Sequence, residues 1–146
     1  MSTSNLMRKY VQYLVATLLI VLLLSSCIGS GDKQEANLGD EFALGIGESI
    51  VITDEDLSIK FIEVSEDSRC PRDVICVWEG RVIVVVEVLK DGSTKQLNLS
   101  QPGLNDDPSM KIYGGYELTY EVEPYPEKAE VEIKADEYRL RLIVNK

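Results

Sequence analysis

Residues 116–123 are Tyr-Glu-Leu-Thr-Tyr-Glu-Val-Glu, in which apolar or aromatic side chains alternate with polar ones. A period of two residues places every second side chain on the same face of a β-strand. One face of this strand then carries two tyrosines, a leucine and a valine, and the other carries three glutamates and a threonine. Working outward along the chain, similar patterns predict further strands around residues 42–46, 50–52, 57–64, 82–86, 97–99, 131–133 and 138–144.

No stretch after Glu41 has a convincing helical period. We therefore predict an all-β domain, an antiparallel, immunoglobulin-like β-sandwich of seven or eight strands, in preference to a small barrel. Two local features agree with this prediction. Asp91-Gly92 between two apolar runs predicts a two-residue hairpin, and the shift of the alternation at Phe61-Ile62 predicts a β-bulge.

The first 26 residues have the features of a secretory signal peptide. Two cations, Arg8 and Lys9, precede the mostly apolar run Val11–Leu24. The ending Leu24-Ser-Ser-Cys27 resembles the lipobox of bacterial and some archaeal lipoproteins, which implies cleavage before Cys27 and a diacylglycerol on its sulfur. The alternative is an uncleaved membrane helix. A span needs about 20 apolar residues. The run Val11–Leu24 has 14, and it reaches 17 only when Ser25, Ser26 and Cys27 are included.

The chain therefore divides into three predicted segments. Residues 1–26 are the signal peptide, residues 27–39 are the lipidated cysteine and a flexible tether, and residues 40–146 are the β-sandwich domain with its own core. We expect the domain on the extracytoplasmic side of the cell envelope, held at the membrane by the lipid.

Composition narrows the partners and the chemistry. Residues 1–26 carry two of the 15 basic residues and none of the 25 acidic ones, so the mature part has a net charge of −12 (13 minus 25). Nucleic acid is a poor partner for such a surface, and we expect contact with the membrane through the lipid anchor alone. The sequence has no histidine, which excludes Ser-His-Asp and Cys-His catalysis and any histidine-bearing zinc site.

Two cysteines, Cys70 and Cys76, remain once Cys27 is lipidated. A disulfide between them is the default in an exported protein. A redox dithiol, which usually has the Cys-x-x-Cys spacing, and a metal site completed by nearby carboxylates are the alternatives. Alternation from Cys76 onward favours Trp78, the only tryptophan, as a core residue beside the disulfide, with an exposed binding aromatic as the alternative.

A longer signature surrounds these cysteines. The run Glu66-Asp-Ser-Arg-Cys-Pro71, followed by Cys76-Val-Trp-Glu-Gly80, resembles a motif of small uncharacterised exported proteins of bacteria and archaea. A later Pro124-Tyr-Pro126 turn and Tyr138 also resemble that family, and the likeness spans Phe42 to Val144. The resemblance implies an exported β domain and brings no established activity.

The long loops are where we expect a binding site, because binding function concentrates on loops held by a rigid scaffold. Antiparallel strands alternate their loops between two ends of a domain. The predicted strands place loops 47–48, 65–80, 101–115 and 135–136 at one end, and turns 54–56, 91–92 and 124–128 at the other. The candidate binding residues at the first end are Arg69, Arg72, Trp78, Asn105, Asp106, Asp107 and Tyr113.

Acidic clusters raise the question of calcium. Asn105-Asp-Asp107 and Asp54-Glu-Asp56 offer oxygen ligands, but neither has the spacing of a known calcium loop, and turn chemistry explains both. We therefore expect no cofactor and no metal.

The leading hypothesis is a non-catalytic binding module of the envelope, which contacts a protein or a small molecule through the long loops. One alternative is an inhibitor or accessory subunit of an envelope enzyme. The other is a carboxylate-based hydrolase, which would require two carboxylates about 5–9 Å apart in a deep cleft.

Overall fold

The computed structural model describes residues 13, 33–103 and 108–146. The signal peptide and Cys27 lie outside these residues, so the lipidation of Cys27 remains a prediction. Residues 32–146 form one compact unit. Within the part of the chain that the structure describes, no helix is both long enough and apolar enough to cross a membrane.

The compact unit is built from β-strands arranged in two sheets. The strands are β1 (Lys33–Ala36), β2 (Glu41–Gly45), β3 (Ser49–Ile52), β4 (Leu57–Asp67), β5 (Arg81–Lys90), β6 (Ser93–Pro102), β7 (Ser109–Tyr113), β8 (Tyr116–Glu123) and β9 (Arg139–Asn145). One sheet has the order β1-β3-β4-β5-β6 and the other the order β2-β9-β8-β7. The predicted all-β sandwich with one disulfide is confirmed. All pairs are antiparallel except β1 with β3.

The core lies between the two sheets and is formed by the alternating apolar side chains. Tyr116, Leu118, Tyr120 and Val122 of β8 are all buried, as their spacing predicts. They meet residues of the other sheet, among them the fully buried Phe61, in a single hydrophobic cluster. In strands such as β8 and β9 the sequence period therefore determines which face points inward.

Two local predictions are confirmed. Asp91 and Gly92 both have positive φ, 49° and 73°, as a type I′ hairpin turn requires, and they join β5 to β6 with Lys90 opposite Ser93. The register between β4 and β5 shifts between Phe61 and Glu63, and again between Val64 and Glu66. The first shift is the predicted bulge.

Three predicted segments differ from the structure. Residues 33–36, predicted as part of the tether, form β1, so the folded region begins before residue 40. Residues 109–113, predicted as part of a long loop, form the edge strand β7. The predicted strand at residues 131–133 is absent, because this segment consists of turns and irregular backbone and Val131 is exposed. The alternation of apolar residues there is not accompanied by pairing.

These differences change which loops meet. We call the end that holds residues 68–80 the disulfide end, and the end that holds the Asp91-Gly92 turn the hairpin end. Because β7 inserts an extra strand, the turn Gly114-Gly115 lies at the hairpin end, where Gly114 approaches the side chain of Lys90. The segment that follows β8 therefore begins at the disulfide end, whereas the sequence prediction places it at the hairpin end.

Candidate functional site

The disulfide loop, residues 68–80, is closed at its neck by backbone contacts. The Ser68 amide donates to the Arg81 carbonyl at 2.8 Å, and the Cys70 amide donates to the Glu79 carbonyl at 3.3 Å. Gly80 has a φ of +65°, and a β-carbon there would lie 1.8 Å from the Ser68 carbonyl oxygen. Glycine is therefore required at residue 80 both for its conformation and for the space it leaves.

Arg69 holds the base of this loop in the protein interior. It is 4% exposed. Its Nε and Nη2 donate to the two carboxylate oxygens of Asp67 at 2.9 and 2.6 Å, and Nη1 and Nη2 donate to the carbonyls of Val122 and Pro124 at 2.8 and 2.9 Å. The guanidinium is thus both charge-paired and hydrogen-bonded, as a buried cation needs to be. The prediction that Arg69 is a binding residue is wrong, because its side chain is used inside the fold.

Tyr138 completes the cluster at the base of the loop. Its hydroxyl donates to the Asp67 carboxylate at 3.0 Å. Burial and then the negative charge of Asp67 raise the pKa of Tyr138 to about 12. The phenol therefore stays a neutral donor over the physiological pH range.

Tyr125 joins the loop to the segment that follows β8. Its hydroxyl lies within hydrogen-bonding distance of the Cys70 carbonyl, at 2.8 Å, and of the Gly103 carbonyl. The guanidinium of Arg72 lies 4.6 Å from the centre of the Tyr125 ring, and that of Arg69 lies 5.2 Å from it. Tyr125 therefore contacts the loop both through its hydroxyl and through its ring, over which the Arg72 guanidinium lies.

The outer part of the loop is also tied to that segment. The Arg72 amide donates to the Pro126 carbonyl at 3.1 Å, and its guanidinium pairs with Glu127 at 3.1 Å. The Asp73 carboxylate accepts from the Ala129 amide at 2.9 Å. Arg72, a predicted binding residue, is thus in part a structural residue, although its side chain remains about half exposed.

The disulfide is formed, as predicted, and it restrains the middle of the loop. Cys70 and Cys76 are bonded, with their α-carbons 5.9 Å apart. Cys70 is buried and Cys76 is exposed. The bond therefore connects the buried base of the loop to its exposed part.

The exposed part carries four apolar side chains, which we call the tip: Val74, Ile75, Val77 and Trp78. Their exposed fractions are 42%, 103%, 88% and 82%. Trp78 does not pack beside the disulfide, so the core interpretation is wrong and the alternative, an exposed aromatic, is correct. The prediction failed because residues 76–80 are not a strand, so a period of two has no meaning there. Sequence reasoning chose Trp78 and missed its three apolar neighbours, although they flank Cys76.

The other predicted site residues have different outcomes. Gly103, at the start of the second long loop, donates its amide to the Gly80 carbonyl at 3.1 Å, so both long loops begin at the disulfide end as predicted. Asn105, Asp106 and Asp107 lie outside the described residues. The prediction that Tyr113 lies at the same end as the disulfide loop is wrong. It pairs with Tyr116 beside the turn at the hairpin end.

Residues 124–128 were also assigned to the wrong end, and they are the part of the site that the loop prediction missed. The predicted end depends on counting strands, and the missed strand β7, which lies between the disulfide loop and this segment, reverses the count. A signal was nevertheless present in the sequence, because the Pro-Tyr-Pro turn and Tyr138 belong to the same signature as the cysteine loop. Asp67, Arg69 and Cys70 of that signature meet Tyr125 and Tyr138 in one cluster.

An open groove of about 560 Å³ runs beside the base of the loop. Four carboxylates line it, those of Glu63, Glu66, Asp67 and Glu132. Asp67 is paired with a buried arginine, and Glu66 accepts from Arg81 and Ser68, which lowers the pKa of the Glu66 carboxyl. A general acid requires a raised pKa. Glu66 therefore does not have the raised pKa of a general acid, and Asp67 is already held by Arg69.

Metal binding has no evident site in the described parts of the chain. Residues 33–103 and 108–146 contain no group of three Cys, Asp or Glu side chains placed to hold an ion. Glu55, from the predicted acidic turn, instead accepts from the Tyr116 hydroxyl at 2.5 Å and from Lys146 at 3.0 Å. These contacts lower the pKa of the Glu55 carboxyl.

Comparison with family models, curated proteins and solved structures gives no match. The likeness to small exported proteins remains a prediction carried by the motif residues.

Proposed function

We propose that the mature protein is a lipoprotein, anchored through Cys27 on the extracytoplasmic side of the cell envelope, and that it acts as a non-catalytic binding module whose contact surface is the tip of the disulfide loop. The observation that carries this proposal is the exposure of Ile75, Val77 and Trp78 on a loop whose base is fixed in the protein interior.

Apolar side chains grouped on a surface mark interaction sites. Burial of one such side chain in a complex contributes about 1.5–3 kcal/mol, and tryptophan is among the residues most enriched in binding hot spots. Three exposed apolar side chains of the tip, those of Ile75, Val77 and Trp78, lie within four consecutive residues. The gain available to a partner that covers them is therefore large for so small a surface.

The rigidity of the loop adds to this gain. A flexible loop loses conformational freedom when it binds, and that loss subtracts from affinity. The disulfide, the Tyr125 hydroxyl and the ion pair of Arg72 restrain this loop before any partner arrives. The same rigidity favours a second candidate, an inhibitor or accessory subunit that inserts the tip into an envelope enzyme.

A matched pair of positions tests the proposal. Ile75 and Ile112 are both exposed isoleucines, at 103% and 71%, but Ile112 lies on β7, away from the tip. A photoreactive residue in place of Ile75 in the full chain, expressed in its own cells, is expected to form one discrete adduct. The same residue in place of Ile112 is expected to form none.

Trp78→Ala should reduce the adduct at residue 75. Adducts of equal yield at both positions, or an adduct at residue 75 that is indifferent to Trp78→Ala, would reject the tip as the contact surface. For the inhibitor candidate, the captured protein must be an enzyme whose activity falls when the full chain is added and recovers with Trp78→Ala.

A further inference from the structure

We infer that the tip binds the interfacial layer of the membrane that carries the anchor, so that the domain is held at two points, by the lipid on Cys27 and by Trp78 with its apolar neighbours. This inference rests on the proposed function, because it names the partner of the same surface. It departs from the expectation, drawn from the net charge of the mature chain, that only the lipid contacts the membrane. Three observations support it: the direction of β1, the chemistry of the tip and the distribution of charge.

The direction of β1 brings the chain in from the disulfide end. Lys33 pairs with Ser49, which pairs with Lys60, whereas Ala36 pairs with Ile52, which pairs with Leu57. Because β4 runs from Leu57 toward the disulfide end at Asp67, β1 runs away from that end. Lys33, the first residue of β1, therefore lies at the end of that strand nearer the disulfide loop.

The segment between Cys27 and β1 is short. Five residues, 28–32, separate Cys27 from Lys33. An extended chain spans at most about 3.3–3.6 Å per residue, so the lipid lies within roughly 20 Å of the start of β1. At a strand rise of about 3.3 Å per residue, Lys60 and Asp67 are also separated by roughly 20 Å. A lipid on Cys27 can therefore reach the level of the loop base at Arg69, from which the exposed side chains of the tip are five to nine residues away along the chain.

The tip has the composition of an interfacial anchor. Tryptophan concentrates at the boundary between lipid headgroups and acyl chains, where its ring is buried and its indole N–H meets water or headgroups. Ile75 and Val77 add aliphatic side chains on either side of Cys76. The backbone hydrogen bonds within the loop lie at its neck and at Val74, whose amide donates to the Pro71 carbonyl. Insertion limited to the side chains of Ile75, Val77 and Trp78 therefore keeps the backbone of the tip at the level of the hydrated headgroups.

Charge is distributed so that the disulfide loop does not oppose this contact. Residues 68–80 contain two arginines, one aspartate and one glutamate, so the loop has no net charge, while the mature chain has a charge of −12. The acidic turn Asp54-Glu-Asp56 lies at the hairpin end, where the Asp91 amide donates to the Asp56 carbonyl. With the disulfide end against the bilayer, this acidic turn is directed away from the headgroups. The groove carboxylates Glu63, Glu66, Asp67 and Glu132 remain at the disulfide end, so the absence of net charge is a property of residues 68–80 alone.

The single tryptophan makes the test direct. The full lipidated chain is placed in phosphatidylcholine vesicles whose acyl chains carry bromine near the headgroup, and Trp78 fluorescence is recorded. The expected result is emission at shorter wavelength than in detergent-free buffer, quenching by the brominated lipid and protection from acrylamide. The double variant Ile75→Ser/Val77→Ser should lose the quenching, whereas Ile112→Ser should keep it.

A second variant tests the role of the short tether. Twelve Gly and Ser residues inserted between Asp32 and Lys33 should reduce the quenching, because the longer linker no longer holds the tip at the membrane. Unchanged quenching would mean that the tip inserts without help from the tether, which contradicts the two-point arrangement.

The remaining outcomes separate this inference from the proposed function. If Trp78 stays accessible to acrylamide and unquenched by lipid, while the photoreactive residue at position 75 captures a protein, the membrane inference fails and the binding module stands. If neither lipid nor protein is contacted, both fail. Mass spectrometry of the mature N-terminus, performed first, establishes whether Cys27 carries the lipid on which the vesicle experiment depends.

Discussion

The base and the tip of the disulfide loop lie only a few residues apart, but their relations to solvent are opposite. Arg69, a cation, is buried and makes four side-chain hydrogen bonds, whereas Ile75, an aliphatic residue, is fully exposed. Each is the reverse of what its side chain favours in isolation. The base therefore fixes the loop to the fold, and the tip remains available for contact, so substitutions in the two parts should have different consequences.

The largest loss of stability is expected from Arg69→Met. Removing one partner of a buried ion pair costs about 3–5 kcal/mol, because the other charge stays buried without compensation. The side chain of Asp67 is 11% exposed, so little water can replace the arginine. The free energy of unfolding of residues 32–146, measured in urea, should fall by this amount.

The control for this change is Arg81→Met, which removes the partner of Glu66. That pair is exposed, at 55% and 39%, and exposed pairs contribute about 0–1 kcal/mol. Similar losses for the two variants would mean that burial of Arg69 does not distinguish the base of the loop.

Gly80→Ala should be nearly as damaging. Both Gly80 and Gly92 have positive φ, but a β-carbon on Gly80 meets a backbone carbonyl, and one on Gly92 meets nothing within 4 Å. The left-handed conformation costs about 1–2 kcal/mol in either variant. Overpacking adds about 1–3 kcal/mol at residue 80 alone. Thermal or urea unfolding should show a clearly larger loss of stability for Gly80→Ala than for Gly92→Ala. Equal losses would contradict the close approach of Gly80 to the Ser68 carbonyl.

Loss of the disulfide should have a moderate effect. The bond joins residues six apart, and closing so short a loop stabilises the fold by roughly 2 kcal/mol in the chain-entropy model. Cys70→Ser/Cys76→Ser should lower the free energy of unfolding by that amount. Reductant should destabilise the wild type to the same level and leave the double variant unchanged. A variant as stable as the oxidised wild type would show that backbone contacts alone fix the loop.

The fold was predictable to the extent that strands have one buried face. Strand β8 buries four alternating side chains, and its period was visible in the sequence. Strand β7 has no buried residue, with Met110 and Ile112 directed outward, so it gives no signal of pairing. The segment around Val131 alternates without being a strand. Two missed strands, β1 and β7, and one extra strand leave the total nearly correct, and the omission of β7 exchanges the ends at which the later loops lie.

The candidate site was predictable only in part, because its residues are joined by long-range contacts. The loop could be located from its two cysteines. The burial of Arg69 depends on carbonyl groups of β8 and the following segment, 53 and 55 residues away, which no local pattern specifies. Trp78 was assigned to the core by a strand period that the irregular backbone does not follow.

The Tyr138 hydroxyl provides a test of the base that depends on pH. Its pKa, raised to about 12 from the ordinary value of 10.0, means that the folded protein keeps a proton that the unfolded chain releases. The stability contributed by this group is fully present below pH 10 and is lost as pH rises toward 12. Tyr138→Phe should cost about 0.5–1.5 kcal/mol at pH 7, the value of one hydrogen bond.

The alkaline decline in stability should also be shallower in Tyr138→Phe. Tyr116 and Tyr120 have raised pKa values too, so the decline is reduced and not abolished. The free energy of unfolding in urea is compared between this variant and Tyr113→Phe, at the hairpin end, from about pH 8 to about pH 12. An alkaline decline identical to wild type in Tyr138→Phe would remove Tyr138 from the cluster at the base.

The smallest effect on stability is expected at the tip. Ile75→Ser and Trp78→Ala should change the free energy of unfolding by no more than about 0.5 kcal/mol, as for surface positions in general, whereas Phe61→Ala in the core should cost about 3–5 kcal/mol. A loss above about 1 kcal/mol at the tip, in the same urea titration, would mean that these side chains pack against the protein in solution and contribute to folding. If the expected result is obtained, folding does not account for apolar residues on this loop, because a serine serves the fold equally well. Their presence must then be explained by a contact outside the domain. The proposed function requires this contrast, in which the base of the loop stabilises the fold and the tip does not.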